Sequence, residues 1–415
     1  MGERTYISDL YHPLYSDAQQ AALEYGASLE VELRPGSIMA EAERRTGLGD
    51  WGATDFLVRL QLLCDEWSAD AELTGAGRLG LRNKLVQHAS SRLLIREQLR
   101  RHPQIHDIQI RRPVIVAGLP RSGTTHLLNL MAADSRLRSL PLWEAYEPVP
   151  LPGEPATGDA SDPRFVRCAQ AWETMQQLTP LTALMHPMNP EHIHEELELM
   201  GPNFGSYNYE WLSHSPRWRD HYYTEDQTYQ YQYMRDVLKL LTWQQRDSGR
   251  PQRWVLKCPQ HLEQLPALHR VFPDATVAIT HRDPVAVIQS IVTMQAYSQR
   301  MTRRRIMRDE LLHYWTDRVQ HLLEACVRER ATLADDQSID VPFTRLIADD
   351  IGWVERIYQR AGMAMTATAR AELARFVREH REDYGRISYD LQGQFGVAPQ
   401  DLRRRFDFYY DAFDI

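Results

Sequence analysis

Residues 114–125 read VIVAGLPRSGTT, where an apolar run breaks into a turn with glycines, hydroxyl groups and one cation. The spacing Gly118-x-x-x-x-Gly123, between a predicted strand and a predicted helix, is typical of a loop whose backbone N–H groups hold a phosphate-type anion. The start of the helix adds its positive dipole end at the same place. The loop therefore predicts an anion site formed by Arg121, Ser122, Gly123, Thr124 and Thr125.

This loop lacks the lysine that follows the second glycine in loops that bind nucleoside triphosphates. Thr124 and Thr125 stand in place of that lysine and the hydroxyl residue after it, and the cation is Arg121 instead. Without the usual lysine and magnesium arrangement, we expect a direct contact to the anion and no metal ion. The alternatives are a tight connection that binds nothing and a P-loop kinase or ATPase site.

A second group of residues suited to an anion lies in HRDPVAVIQS, residues 281–290. Arg282 follows a predicted strand, and Ser290 comes eight positions later on the next predicted helix. Both side chains donate hydrogen bonds to phosphate oxygens, so they predict a second anion site near the first. Asp283 offers a metal ligand as the alternative, but the charge of its neighbour Arg282 favours an anion.

Together, GLPRSGTT and HRDPVAVIQS resemble the motifs of the sulfotransferase family that uses 3′-phosphoadenosine 5′-phosphosulfate (PAPS), in particular its bacterial and tyrosylprotein-sulfotransferase-like branch. The first resembles the 5′-phosphosulfate loop, and the second resembles the 3′-phosphate site, with Arg282 and Ser290. The stretch WVLKCPQHLEQLPALHRVFPDATVAITHRDP and the tail YGRISYDLQGQFGV extend the likeness in patches between residues 113 and 413. The resemblance implies a PAPS donor and sulfuryl transfer to a hydroxyl group.

Lysine is rare in this chain, which contains only Lys84, Lys239 and Lys257. Lys257 lies in the strand candidate WVLKCP, residues 254–259, and we expect it at the same edge of the sheet as the loop. Its compact ammonium suits an oxygen on which negative charge develops. By resemblance it matches the family lysine that stabilises the transferring sulfuryl group, and an incidental surface lysine is the alternative.

Transfer to a hydroxyl group also requires a general base. Aryl and steroid sulfotransferases carry a histidine two residues after this lysine, where the chain has Pro259. The tyrosylprotein-like branch uses a glutamate soon after the loop helix, and by resemblance this is Glu144 in SLPLWEAYEP. The resemblance therefore points to Glu144 as the base.

A rival base lies in EHIHEELELM, residues 191–200. On a helix, His194 and Glu198 would share one face, so that the carboxylate orients the imidazole. His192 and His194 would not share a helix face, and no HExxH pattern is present, so we predict no metal site. A polar helix that borders a pocket is the alternative interpretation.

The motifs need a scaffold that brings several strand ends together. VIVAG, WVLKCP, TVAITHRD and SIDVPFTRL alternate with helical patterns, which predicts parallel strands joined by crossover helices. We expect an α/β fold with a P-loop-like central parallel sheet flanked by helices, and ligands beyond the carboxyl ends of the strands. Residues 1–110 are predicted to form a helical N-terminal subdomain, and residues 111–415 the sulfotransferase domain, with a helical insertion at about 160–250.

Composition limits the classes of partner. A net charge of −8 argues against a protein that coats nucleic acid. The four cysteines are far apart and predict neither a disulfide framework nor a zinc site. No apolar stretch reaches about 18 residues and no signal peptide is evident, which predicts a soluble cytoplasmic protein.

The acceptor is less defined by the sequence. Residues 204–233 are rich in aromatic side chains, which would suit a pocket for a phenol, sterol or lipid alcohol, or would pack helices or a subunit contact. We therefore expect a small-molecule or lipid-like hydroxyl acceptor and allow for a homo-oligomer. A non-catalytic protein that binds a nucleotide or lipid remains the alternative to an enzyme.

Overall fold

The computed structural model describes residues 4–249, 251–380 and 387–415. Within them the strands are β1 (Thr5–Tyr6), β2 (Val114–Gly118), β3 (Leu137–Arg138), β4 (Arg253–Lys257), β5 (Thr276–His281), β6 (Ser338–Pro342) and β7 (Ile387–Ser388). The α-helices are α1 (Asp17–Ala27), α2 (Pro35–Thr46), α3 (Phe56–Ala69), α4 (Gly75–Arg101), α5 (Thr124–Ala132), α6 (Leu142–Tyr146), α7 (Pro163–Leu178), α8 (Pro180–Met185), α9 (Leu197–Met200), α10 (Asn208–Leu212), α11 (Pro216–Thr224), α12 (Thr228–Gln244), α13 (Leu265–Val271), α14 (Pro284–Ser298), α15 (Arg308–Glu329), α16 (Phe343–Ala348), α17 (Asp350–Arg360), α18 (Ala367–His380), α19 (Leu391–Phe395), α20 (Pro399–Arg403) and α21 (Asp407–Ala412). Short 3-10 turns lie at Pro103–Asp107, Gly201–Asn203, Pro259–Glu263, Arg330–Thr332 and Arg404–Phe406.

The centre of the molecule is a five-stranded parallel sheet in the order β3-β4-β2-β5-β6. All five residues of β2, VIVAG, are buried, as expected for a strand covered by helices on both faces. The expected α/β fold is thereby confirmed. β2 lies between β4 and β5, with Val116 opposite Lys257 and Gly118 opposite Thr280. The carboxyl ends of three neighbouring strands therefore meet at one edge, where the predicted motifs lie.

The first hundred residues are mostly helical and bury an apolar cluster of their own. The 27-residue helix α4 packs on α2 and α1, and the cluster joins residues of α2, α3 and α4. Aromatic side chains of the predicted insertion complete it: Phe204, Tyr209, Trp218 and Tyr222 are all buried here. Much of the aromatic stretch therefore packs the helices together. The domain boundary at residue 110 stays a prediction.

The two ends of the chain meet in a second, two-stranded sheet, in which β1 pairs with β7 in parallel. The Gln394 side chain donates to the Ile7 carbonyl at 2.9 Å, and the Tyr11 hydroxyl donates to the Gln394 carbonyl at 2.8 Å. These contacts bring the first residues of the chain onto its C-terminal segment. Of the predicted tail YGRISYDLQGQFGV, residues 384–386 lie outside the described residues.

The segment just before α15 pairs with the N-terminal region. Periodic apolar residues over 302–334 would favour one long helix, but α15 begins only at Arg308. Residues 302–304 instead pair with the N-terminal region: Thr74 N–H donates to the Thr302 carbonyl at 2.9 Å, and Arg304 N–H to the Glu72 carbonyl at 2.7 Å. These backbone bonds replace helical ones. None of the described helices is long and apolar enough to cross a bilayer.

Candidate functional site

The loop after β2 has the geometry of an anion cradle. Gly123 takes a left-handed conformation, with φ of 88°, immediately before α5 begins. The Ser122 hydroxyl donates to the Leu119 carbonyl at 2.6 Å and lies 2.7 Å from the Thr280 hydroxyl oxygen. Gly118 must lack a side chain, because a Cβ there would lie 2.0 Å from Thr280 Oγ1. The loop is thus locked to β5 and presents the start of α5.

Arg121 connects the two predicted anion sites. Its φ of 67° is unusual for a residue with a side chain. Its Nε donates to the Ser290 hydroxyl at 3.1 Å, and its Nη1 donates to the Met185 carbonyl at 2.8 Å. Arg282, just after β5, donates from Nη1 to the Arg121 carbonyl and stacks its guanidinium 4.1 Å from the Phe343 ring centre. The structure therefore brings Arg121, Arg282 and Ser290 into one site.

These two arginines carry charge that nearby acids do not balance. Among the described residues, no carboxylate forms an ion pair with Arg121 or Arg282. The buried Arg318, in contrast, is held by Glu210 at 2.8 Å and Glu263 at 2.6 Å. Burial and the charge of Arg121 lower the pKa of Arg282. A pair of adjacent cations with no acid of its own attracts an anion.

Lys257 ends β4 and is almost fully buried. Its ammonium donates to the Thr125 hydroxyl at 3.3 Å and forms an ion pair with the Glu195 carboxylate. Its backbone N–H donates to Glu196 Oε2 at 2.8 Å. The lysine therefore links the loop helix α5 to a pair of acids from the segment before α9.

A buried chain of hydrogen bonds lies behind this lysine. Glu196 is fully buried, and its Oε1 lies 2.6 Å from His261 Nε2. His261 Nδ1 in turn lies 2.8 Å from the Tyr231 hydroxyl on α12. These contacts satisfy a carboxylate that burial would otherwise destabilise. They hold the end of β4, and with it Lys257, against the helical insertion.

The expected helix over residues 191–200 is wrong for its first six residues. Residues 190–192 form a turn, and the chain then pairs with the segment around the start of α6: Ile193 bridges to Pro141, and His194 N–H donates to the Leu140 carbonyl at 2.7 Å. Only Leu197–Met200 forms helix α9. Local periodicity suggested a helix, but backbone bonds to a distant segment decided the outcome. Because neither His192 nor His194 is helical, the helical argument about these two residues does not apply.

His194 is buried, with Nε2 4.0 Å from Glu198 Oε1. Burial lowers the pKa of His194 to about 3, although Glu198 acts in the opposite direction. His194 is therefore uncharged at neutral pH. Glu198 itself pairs with Lys84 at 2.8 Å, so this acid is shared between the imidazole and the ammonium.

Glu195, the acid that pairs with Lys257, is a candidate base that the sequence analysis did not identify. It is 8% exposed, and burial raises its pKa even though the Lys257 ammonium acts against that rise. The only sequence signal is its position next to His194 in an acid-rich segment. Its contact with Lys257 depends on the backbone bonds between residues 190–194 and residues 140–143, which the local pattern does not indicate.

Glu144 lies in the first turn of α6 and is buried. Its Oε1 accepts a hydrogen bond from Gln245 Nε2 at 2.6 Å. Gln245 follows α12, whose last turn lies beside the amino end of β4, since the Trp254 indole donates to the Thr242 hydroxyl at 3.1 Å. Lys257 is at the opposite end of that strand. The structure thus gives Glu144 a partner remote along β4 from the predicted lysine, and its role as base stays a prediction.

Asp283, the alternative metal ligand, forms hydrogen bonds to other parts of the protein. Its side chain accepts from Val285 N–H at 3.0 Å and caps α14, and it accepts from the Tyr410 hydroxyl at 2.6 Å. Within the described part of the chain, no group of three or more His, Cys, Asp or Glu side chains is arranged to hold a metal ion.

Known proteins resemble this chain in sequence and in fold. The profile of the Sulfotransferase family matches residues 113–367, which is more than half of the chain. The crystal structure of sulfotransferase STF1 from Mycobacterium tuberculosis H37Rv is 28% identical, with a TM-score of 0.79, and the match covers 91% of this chain and 100% of that one. No curated protein gives a significant match.

A second solved structure supports the fold. Sulfotransferase STF9 from Mycobacterium avium superposes with a TM-score of 0.82 at 24% identity, covering 94% of this chain and 98% of that one. The likeness to both structures includes the helical N-terminal part, which the family profile does not reach. The chain therefore belongs to the sulfotransferase family, and the chemistry of its site is sulfuryl transfer.

Proposed function

We propose that this protein transfers the sulfuryl group of PAPS to a hydroxyl group of a small-molecule or lipid-like acceptor. The observation that carries the donor assignment is the contact between Arg121 and Arg282 at the carboxyl ends of β2 and β5, with no acid paired to either among the described residues. One ligand with two separate anionic groups would compensate both cations. PAPS has a phosphosulfate at one end of its ribose and a phosphate at the other.

Two groups of residues would bind the two anionic ends of PAPS. Arg121, Ser122, Gly123, Thr124 and Thr125 would hold the 5′-phosphosulfate at the start of α5, where backbone N–H groups and hydroxyls converge. Arg282 and Ser290 would hold the 3′-phosphate. The hydrogen bond between Arg121 and Ser290 supports this division, because it brings the two groups close enough for one nucleotide to contact both.

Lys257 is proposed to stabilise the negative charge that develops on the leaving phosphate as the sulfuryl group departs. It lies beside Thr125 on the loop helix and is therefore on the donor side of the site. Its other partner is Glu195. When the donor attracts the ammonium, Glu195 is left with a raised pKa and a free carboxylate, which suits a group that removes a proton from a hydroxyl.

The geometry therefore favours Glu195 as the base, with Glu144 and His194 as the alternatives. Glu195 touches the lysine, whereas the Glu144 carboxylate accepts a hydrogen bond from Gln245. His194 is adjacent in sequence to Glu195 and uncharged, so it could also accept a proton. Substitution of each residue distinguishes the three.

The function is tested with isotopically labelled PAPS and a library of hydroxyl compounds, with products identified by mass spectrometry. We expect labelled sulfate esters, and thermal stabilisation by 3′,5′-adenosine bisphosphate without added metal. The Arg282→Ala variant should lose both the labelled product and the thermal stabilisation by this nucleotide. Stabilisation by ATP with magnesium and a phosphorylated product would instead indicate a kinase, and nucleotide binding with no sulfated product would indicate a non-catalytic protein.

A further inference from the structure

Three histidines form a triangle beside the proposed reaction centre. Their ring centres are 5.5 Å apart for His186 and His192, 6.1 Å for His186 and His194, and 5.8 Å for His192 and His194. His186 follows α8, while the other two flank Ile193, which bridges to Pro141. Backbone bonds between this segment and residues 140–143 hold His192 and His194 in place, and both rings reach His186.

Residues next to the triangle contact the donor loop and Lys257. The carbonyl of Met185, next to His186, accepts a hydrogen bond from Arg121 at 2.8 Å. Glu195, next to His194, forms the ion pair with Lys257. Besides burial, the charges of Lys257 and Arg121 both lower the pKa of His186, which is consistent with a triangle close to the donor loop and to the lysine.

All three rings are uncharged at neutral pH. Burial, followed by the charge of Lys257, lowers the pKa of His192 to about 4, and burial lowers the pKa of His194 to about 3. Burial and the neighbouring imidazoles hold the pKa of His186 well below its ordinary value, with further contributions from Lys257 and Arg121. A neutral imidazole has one donor nitrogen and one acceptor nitrogen.

Two of these nitrogens lack a partner. Nδ1 of His186 and Nδ1 of His194 are buried and have no hydrogen bond within the described residues, and His194 is only 6% exposed. Buried polar atoms in native proteins are usually paired, so these two indicate a ligand that pairs with them. The rings are not arranged to share a metal ion, since the described residues contain no such group.

We propose that this histidine triangle binds the non-reacting hydroxyl groups of the acceptor, and that the acceptor is an uncharged molecule with two or more hydroxyls, such as a sugar or a glycoside. The proposal rests on the function proposed above. A hydroxyl group donates and accepts at once, which matches a neutral imidazole. An acceptor with a single hydroxyl would use it at the base and leave both Nδ1 atoms unpaired. Three uncharged rings would give an anionic acceptor no compensating charge.

The test compares acceptors that differ in their number of hydroxyls, with labelled PAPS as donor. The pairs are octyl β-glucoside with 1-octanol, and 4-nitrophenyl β-glucopyranoside with 4-nitrophenol. The variants are His186→Leu and His194→Leu, together with His186→Asn and His194→Asn, whose amide lies near the position of Nδ1. His313→Leu is the control, because His313 is exposed on α15 and pairs with Asp317.

We expect both glucosides to be sulfated with a higher kcat/KM than their single-hydroxyl partners. Each Leu variant should raise the glucoside KM by about tenfold, with a smaller effect on kcat and none on binding of 3′,5′-adenosine bisphosphate. The Asn variants should recover most of the affinity, and the control should behave as the wild type.

Two results would overturn the assignment while the proposed function stands: equal or better turnover of octanol and nitrophenol, or Leu variants that leave the glucoside KM unchanged. A protein that binds 3′,5′-adenosine bisphosphate but sulfates none of the four compounds would also overturn it, because no polyhydroxyl preference would exist. Failure to bind that nucleotide would contradict the proposed function itself.

Discussion

The guanidinium of Arg121 donates a hydrogen bond to the hydroxyl of Ser290 at 3.1 Å, although 169 positions separate them in the chain. The contact exists because β2 and β5 are neighbours in the sheet, so that the loop after one strand meets the helix after the other. Arg282 completes the group through the Arg121 carbonyl. Two motifs that are far apart in sequence thus form one cationic surface.

Arg282→Ala should weaken the binding of 3′,5′-adenosine bisphosphate by about 10- to 100-fold, because a hydrogen bond to a charged group contributes about 1.5–3 kcal/mol. Calorimetric titration measures the change. Arg345→Ala is the matched control, since Arg345 is exposed and pairs only with Asp414 among the described residues. Equal affinity in the Arg282 and Arg345 variants would remove Arg282 from the nucleotide site.

Glu195→Gln should lower kcat by about 10²- to 10⁴-fold, because it removes the proposed proton acceptor without changing the shape of the side chain. Glu144→Gln is the comparison, and its hydrogen bond with Gln245 predicts a much smaller loss. Single-turnover sulfation of one acceptor measures both. A large loss in Glu144→Gln with a small one in Glu195→Gln would assign the base to Glu144 instead.

The pH profile provides a separate test of Glu195. Burial raises its pKa above the ordinary glutamate value of about 4.3, and only the deprotonated carboxylate accepts a proton. The value of kcat/KM should therefore be low at acidic pH, where the carboxylate is protonated, and should rise with pH through an apparent pKa above about 4.3. This acidic limb should be missing from the residual activity of Glu195→Gln, and its survival there would contradict the assignment.

Arg318→Met should reduce the free energy of unfolding by about 3–5 kcal/mol, because it leaves Glu210 and Glu263 buried without their shared cation. Chemical denaturation measures the loss. Glu263 ends the 3-10 turn that follows Lys257, so we also expect reduced activity in this variant. A change below about 1 kcal/mol would show that the two acids are compensated in another way.

Gly118→Ala should destabilise the protein by about 1–3 kcal/mol and weaken nucleotide binding, because the added Cβ would lie 2.0 Å from Thr280 Oγ1 and 2.7 Å from Thr124 Cγ2. Gly80→Ala is the control, since Gly80 lies in α4 with open space around it. There alanine should stabilise by about 0.5–1 kcal/mol. Similar effects of the two substitutions would contradict the close approach of the loop to β5.

The longer strands of the central sheet, and the functional residues at their ends, could be predicted from local sequence patterns. Buried β-branched runs ended by glycine, lysine or arginine identify β2, β4 and β5, and the helical patterns between them require parallel pairing. The two-residue strands β1, β3 and β7 carry too few residues to show a pattern. Their pairing depends on distant segments.

The sequence by itself determined the glycine-rich loop after β2, the second arginine and the lysine at a strand end, because each depends on residue type and on spacing within one strand-loop-helix unit. Tertiary structure decided which acid meets Lys257. Residues 190–194 are held out of a helix by backbone bonds to residues 140–143, about 50 positions away, and that pairing places Glu195 against the lysine. Local periodicity contains no information about such a long-range backbone pairing.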